Sequence, residues 1–373
     1  MSLSRRSFLK GGAASLILLT QKQEAFAAGH RPNIILAMTD DQGWGDTGYN
    51  GHPVLQTPTL DEMSQSGIRF DRFYSGSPVC SPTRGSCLTG RHPERYGIVH
   101  ANYGGYDAPS LYPLPEQEVT LAEALKNKGY TTGHFGKWHL GDFHGEMKSS
   151  PSDNGFDVSF STVRKVPTLD PFGYYQNGIL YRGNLKGDDS RIIMDRAVSF
   201  IRNAVHAEKP FFVVIWFHTP HVPFIASPAY RSLYAEHSEE EQNFWGALTA
   251  MDREMGRLRN ELRIQHVAEN TMLWFCSDNG ARRGNPRFPG SVGDLRGGKG
   301  NLYEGGIRVP GILEWPARIE QRAVEMPCST LDYYPTILEL LGIEIESQPR
   351  PIDGISLVGL LNNQMKERPK PIG

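Results

Sequence analysis

Three clusters of polar residues stand directly after short apolar runs, and their side chains suit a cation site. Asp40-Asp41 follows the run 33–38, Asp278-Asn279-Gly280 follows 271–275, and His218-Thr219-Pro220-His221 follows 211–217. Carboxylate and amide oxygens are hard donors of the kind that bind Ca²⁺ or Mg²⁺. Taken singly, an Asp pair after a strand reads as a turn or helix cap, Asp-Asn-Gly as a turn, and a histidine as a structural group. Their common placement favours one shared site. A different chemistry is offered by Cys80-Ser81-Pro82-Thr83-Arg84, followed by Thr89-Gly90-Arg91. Pro82 suits the first turn of a helix and so sets Cys80 near that helix's N-terminus. Unpaired N–H groups and the helix dipole there favour an anion, and a thiol in that position is reactive.

The elements that must hold these groups alternate. The runs 33–38, 211–217 and 271–275 are of the buried-strand type, and 68–74 alternates as a strand. Thr57-Pro58 opens a short helix closed by Gly67, and Thr120 with Glu123 forms a capping box for a helix ending at Gly129. Helical spacing runs through 192–205 and again through 244–262. Alternating strands and helices predict an α/β fold, a large mixed and mostly parallel sheet sandwiched by helices. Its ligand site lies at the carboxyl ends of the strands.

Composition narrows the function classes. With 39 Lys plus Arg against 41 Asp plus Glu, the net charge is −2, so bulk positive charge for nucleic acid is absent. A chain with 21% charged and 39% apolar residues folds, and 40 Gly with 26 Pro imply long, shaped loops. The four cysteines, Cys80, Cys87, Cys276 and Cys328, show no zinc spacing and no C-x-x-C. Cys87 and Cys276 read as buried apolar fillers, and a Cys80–Cys87 bridge is allowed by spacing but not favoured. Residues 1–27 read as a twin-arginine signal peptide: Arg5-Arg6, the apolar run 13–19, and Ala25-Phe26-Ala27 as cleavage site. The apolar run is too short to span a bilayer. The expected product is a periplasmic or secreted bacterial protein, exported by the Tat machinery and not integral to the membrane.

Further motifs follow in order: Gly136-Lys137-Trp138-His139-Leu140-Gly141, His221-Val222-Pro223, Ser277-Asp278-Asn279-Gly280, and Leu295-Arg296-Gly297-Gly298-Lys299-Gly300 running on to Pro310. Together with Cys80-x-Pro82-Thr83-Arg84 and Thr89-Gly90-Arg91, they make the sequence resemble the type I sulfatases (arylsulfatase type) of the alkaline phosphatase superfamily, over residues 31–360. The resemblance implies a sulfuric ester hydrolase acting on a sulfated carbohydrate or an aryl sulfate. It implies that Cys80 is converted to Cα-formylglycine by a formylglycine-generating enzyme, and that its hydrate attacks sulfur through one hydroxyl and expels sulfate through the other. One Ca²⁺ is then held by Asp40, Asp41, Asp278, Asn279 and the residue at 80. Arg84 stabilises the ionised hydroxyl, Lys137 and Lys299 grip the sulfate, His139 takes the second hydroxyl's proton, and His221 assists the leaving group. His221 is preferred to His218 because the family pattern is His-x-Pro. Phosphonate monoester or phosphodiester hydrolysis on the same scaffold is the alternative activity, and an inactive secreted protein the third reading. The catalytic domain is expected at 28–345. Residues 346–373 read as a truncated tail, because the family's small antiparallel C-terminal subdomain is not found after Asp353-Gly354-Ile355. Substrate selection is expected in the loops 101–115 and 174–189.

Overall fold

The strand β1 (Asn33–Thr39) is buried along its whole length, and successive side chains enter two different cores. Ile34, Leu36 and Met38 join one core; Ile35 and Ala37 join the other. The computed structural model describes residues 31–102 and 112–372. The signal-peptide reading of 1–27 therefore lies outside the described residues, as does 103–111 of the expected substrate loop.

In chain order the remaining strands are β2 (Ile68–Phe70), β3 (Phe73–Tyr74), β4 (Thr131–Lys137), β5 (Val158–Thr162), β6 (Tyr174–Gln176) and β7 (Ile179–Leu180). They continue as β8 (Phe211–Trp216), β9 (Thr271–Ser277), β10 (Arg308–Val309), β11 (Gly311–Glu314), β12 (Arg322–Val324) and β13 (Cys328–Ser329). Ten of them form one sheet in the order β12-β2-β11-β9-β1-β8-β4-β5-β6-β7. Its centre, β9-β1-β8-β4-β5, is parallel, with Leu36 between Val214 and Trp274. Antiparallel strands flank it, β11 beside β9 and β6 beside β5. The small sheet β10-β3-β13 is separate.

The principal helices are α1 (Pro58–Ser66), α2 (Cys80–Thr89), α3 (Leu121–Lys126), α4 (Asp189–His206), α5 (Glu239–Ile264) and α6 (Tyr333–Leu341). Helices α1, α4 and α5 cover one sheet face through Leu60, Ile193, Ile201, Leu248 and Met255. On the other face, α2, α3 and α6 pack through Cys87, Leu88, Leu125 and Ile337 against Trp216 and Trp274. Each large apolar side chain so buried contributes about 1.5–3 kcal/mol. The predicted layered α/β fold is thus observed, with a large mixed, mostly parallel sheet between helical layers. Capping explains the starts: Thr120 and Ser238 each form a capping box, with Glu123 and Glu241.

Two details differ from the sequence reading. The stretch 68–74 is two strands in two sheets, because Phe70 and Phe73 enter the same core, 5.6 Å apart. Residues three apart cannot share a face within one strand, so the chain turns at Asp71-Arg72. The segment 174–189 is a small hairpin, β6–β7, at the edge of the large sheet, followed by the start of α4. Residues 346–372 lie against the body. Leu357, Leu360 and Leu361 are buried, Asp353 accepts the His92 N–H, and Arg368 pairs with buried Asp332 at 2.7 Å. All four cysteines are free and buried. Among the described residues no helix is long and apolar enough to cross a membrane.

Candidate active site

Parallel neighbours end at the same edge of a sheet, and four of them end here in polar residues. Asp40 and Asp41 follow β1, Asp278 and Asn279 follow β9, Lys137 closes β4 with His139 two residues on, and His221 follows β8. Facing this edge is the N-terminus of α2, where Cys80 is the first helical residue after Val79 and Pro82 lies in the first turn. The loop carrying Lys299 closes the remaining side. It is tied by the Lys299 N–H to the Ala281 carbonyl and by the Gly300 N–H to the Pro78 carbonyl, 2.9 Å each.

Within this frame cations and carboxylates alternate. Lys137 Nζ donates to Asp40 Oδ2 at 2.6 Å. Arg84 donates through Nε and Nη2 to Asp278 Oδ2 at 3.1 and 2.6 Å, through Nη1 to the Lys137 carbonyl at 3.0 Å, and stacks over Trp216. Lys299 Nζ donates to Asp41 Oδ1 and lies 3.4 Å from Cys80 Sγ. Burial alone raises the pKa of Asp40, but Lys137, His221, Arg84 and Lys299 outweigh it and hold the carboxyl well below the usual range. Asp41 is likewise lowered, by Lys299 and His221 acting against burial. Asp278 is pushed the other way, to about 7, by burial and by its neighbour Asp40. Burial raises the Cys80 thiol to about 11 despite Lys137 and Lys299, so the unmodified side chain is a neutral thiol rather than a thiolate.

Two buried oxygens of this site are left without a hydrogen-bond partner, Asp40 Oδ1 and Asn279 Oδ1. Asn279 spends its amide nitrogen on Asp41 Oδ1 (2.8 Å) and the Gly280 carbonyl (3.0 Å). An unsatisfied buried acceptor costs about 1–3 kcal/mol, so an orphaned carboxylate and amide oxygen fit a hard cation. One ligand atom each from Asp40, Asp41, Cys80 and His221 lies within 4.8 Å of the others, which sets residue 80 beside the two aspartates. Asp278 Oδ2 takes both hydrogen bonds from Arg84, whereas Oδ1 takes one, from the Asp41 N–H (3.1 Å), and keeps a lone pair for a cation.

The two histidines near β8 differ sharply. His218 is fully buried, its Nδ1 2.8 Å from Asp189 Oδ2 and its Nε2 2.7 Å from Thr162 Oγ1. Both ring nitrogens are used in support of the fold. His221 donates Nδ1–H to the Val222 carbonyl at 2.7 Å and turns Nε2 toward Asp41 Oδ2, 3.7 Å away. Burial lowers its pKa to about 3. His139 adopts a left-handed backbone (φ 60°) and donates Nε2–H to the Asn102 carbonyl at 2.9 Å. Its Nδ1 is a buried nitrogen without a partner, and burial together with Lys137 and Arg84 keeps the ring neutral.

These side chains surround a cavity of about 140 Å³ lined by Cys80, Lys137, His139, His221 and Lys299. Every residue singled out from the sequence for catalysis or metal binding is thus at or directly behind one cavity. The sequence reading missed three cations on the same wall: Arg164, Lys165 and Arg282. The signal was present, since Arg164-Lys165 follow the end of β5 just as Asp40-Asp41 follow β1.

The Sulfatase family profile matches residues 32–343. N-acetylgalactosamine-6-sulfatase of the dog, Canis lupus familiaris, is 34% identical over 95% of this chain and 70% of its own length. Among solved structures, Ps i-CgsB in complex with k-i-k-neocarrahexaose superposes with a TM-score of 0.82 at 27% identity, covering 92% of this chain and 79% of that one. The PsFucS1 sulfatase from Pseudoalteromonas sp. gives a TM-score of 0.78 at 26% identity, over 94% and 76% of the respective chains.

Proposed function

The chain belongs to the sulfatase family, and from that premise we propose that it hydrolyses the sulfate ester of a sulfated carbohydrate, using a Cα-formylglycine made from Cys80 and one Ca²⁺. The observation that carries this reading is the cluster of Cys80, at the first position of α2, with Asp40, Asp41 and His221, one ligand atom of each within 4.8 Å of the others. The carbohydrate class is supported by the relatives, one named N-acetylgalactosamine-6-sulfatase and one solved in complex with k-i-k-neocarrahexaose.

Asp40, Asp41, Asp278, Asn279 and residue 80 are the ligands proposed for the ion. When bound, Ca²⁺ supplies Lewis acidity and a fixed point for a sulfate oxygen, and the aldehyde hydrate supplies a nucleophile that can be regenerated. The chain's own groups do the rest. Lys137 and Lys299 neutralise sulfate oxygens, and Arg84, locked on Asp278 and the Lys137 carbonyl, holds positive charge behind residue 80. His139, a neutral cavity-lining residue whose Nδ1 has no partner, accepts the proton of the second hydroxyl as the C–O bond to sulfate breaks and the aldehyde is regenerated. Lys299 donates toward the leaving oxygen; His221 shares that role only in its protonated form, because its Nδ1–H is committed to a carbonyl.

Cys80 is only 2% exposed, so an oxidising enzyme must reach it before the chain folds. That order agrees with maturation in the cytoplasm followed by Tat export of the folded protein to the periplasm, as the Arg5-Arg6 leader suggests. The test is peptide mass spectrometry across Cys80 after co-expression with a formylglycine-generating enzyme, paired with sulfate and phosphate release from matched esters. Aldehyde at residue 80 with sulfate release lost by at least about 10³-fold in Cys80→Ala supports the reading. Equal turnover by the Ala variant, or faster release of phosphate than of sulfate, rejects it.

A further inference from the structure

Charge in the inner site is already balanced. Arg84, Lys137 and Lys299 meet Asp278, Asp40 and Asp41 in direct contacts. A sulfate monoester brings one negative charge, which the bound ion suffices to match. The same cavity nevertheless carries three more cations on its wall. Arg164 pairs with Asp142, at 3.9 Å. Arg282, on the cavity wall, approaches Asp41 Oδ2 at 3.8 Å and lies over the Phe288 ring, 5.1 Å from its centre. Lys165 is half-buried and has no ion pair among the described residues. Its pKa is lowered by burial and by the cations Arg282, Lys137 and Lys299, so positive potential is left over at this wall.

Half-buried cations crowded against like charges are costly unless an anion visits them. We propose that Lys165 and Arg282 form a rim that binds a second anionic group of the substrate, a carboxylate or a further sulfate ester on or next to the sugar that carries the reacting sulfate. The preferred substrates are then polyanionic saccharides rather than singly sulfated neutral ones. Lys165 follows β5 and Arg282 follows β9, so the rim reads the substrate from two sides of the cavity. Arg282, planar and backed by an aromatic ring, suits bidentate contact with a carboxylate or sulfate.

The proposal rests on the hydrolytic reading for its substrate class, but its test does not depend on turnover. Calorimetric titration of Ca²⁺-loaded Cys80→Ala protein with galactose 6-sulfate, a galactose disulfate, and a uronate-containing 6-sulfated disaccharide measures binding directly. At least one dianion is expected to bind tenfold or more tightly than the monoanion, and the stronger of the two identifies the second group. Lys165→Gln and Arg282→Gln each reduce that ratio at least threefold, while Arg282→Lys preserves most of it. Raising NaCl from about 50 to 300 mM shrinks the ratio as charges are screened. A ratio near one, no measurable binding of either dianion, or a ratio that persists in the Lys165→Gln/Arg282→Gln double variant overturns the rim. If the ratio behaves as expected while matured wild-type protein releases no sulfate, hydrolysis fails and the rim stands. If sulfate is released but the ratio is one, hydrolysis stands and the rim fails.

Discussion

His139 shows how much one side chain's chemistry is set by its contacts. With Nε2–H given to the Asn102 carbonyl, the lone pair sits on Nδ1, and no described group occupies it. Burial, then Lys137 and Arg84, hold the ring neutral, so its free lone pair is unprotonated at physiological pH. His139→Gln should lower kcat for sulfate release by about 10²- to 10³-fold, the range for a lost general base, with KM changed only a few-fold. Steady-state kinetics decide it, and a loss confined to KM would mean that His139 only binds substrate. The sequence placed His139 in a motif but could not say which nitrogen is left without a partner, because the Asn102 carbonyl lies 37 residues away in the chain.

Among the elements, β4 carries the site with the least obvious sequence. Two glycines in Thr131–Lys137 hide its strand character, and only its pairing with β5 and β8 defines it. Gly136 has φ +105°, and a Cβ there would stand 1.9 Å from the Trp216 carbonyl oxygen. Gly136→Ala therefore forces β4 and β8 apart just before Lys137. A loss of at least about 2 kcal/mol is expected in chemical denaturation, together with reduced activity. Unchanged stability would mean that the sheet relaxes freely at its carboxyl edge. His134, two residues before Gly136, is buried among Trp138, Phe156 and Trp216 with Nδ1 on Ser161 Oγ. Burial first, then Arg84 and His218, push its pKa well below 6.5. Below about pH 6.5 the unfolded chain takes up a proton that the folded chain refuses. This contribution to stability is present above that pH and fades as pH falls, by up to about 1.4 kcal/mol per pH unit. The slope of unfolding free energy between about pH 6.5 and 5 should be flatter in His134→Gln, and an identical slope rejects the assignment.

At the scale of the whole molecule, two cores on opposite sheet faces clamp the strands whose ends build the site. Trp216 and Trp274 lie in one core, Phe217 and Phe275 in the other. Carboxylates gathered at such an edge repel one another, and the orphaned Asp40 and Asn279 oxygens add to the cost. Ca²⁺ should therefore stabilise the entire fold, by about 2.7 kcal/mol at a hundredfold excess over Kd. Thermal unfolding is expected to shift upward by several degrees with Ca²⁺, back down with EDTA, and hardly at all in Asn279→Ala. No shift in the wild-type chain would remove the ion from the site.

The layered α/β class, the main strands and helices, and a set of reactive residues were all legible in the bare sequence. Apolar runs, capping boxes and strand-end polar residues are local signals, set by a few neighbouring side chains. Family resemblance then supplied roles for Cys80, Arg84, Lys137, His139, His221 and Lys299. Other features emerged only in the folded chain. Pairing makes β4 a strand, 68–74 divides between two sheets, and His218 is tied to Asp189 and Thr162 while His221 faces the cavity. Folding also brings Arg164, Lys165 and Arg282 to the wall of that same cavity. All of these share one cause. Each depends on contacts between residues far apart in the chain, where packing and desolvation choose among conformations that local sequence leaves equally open.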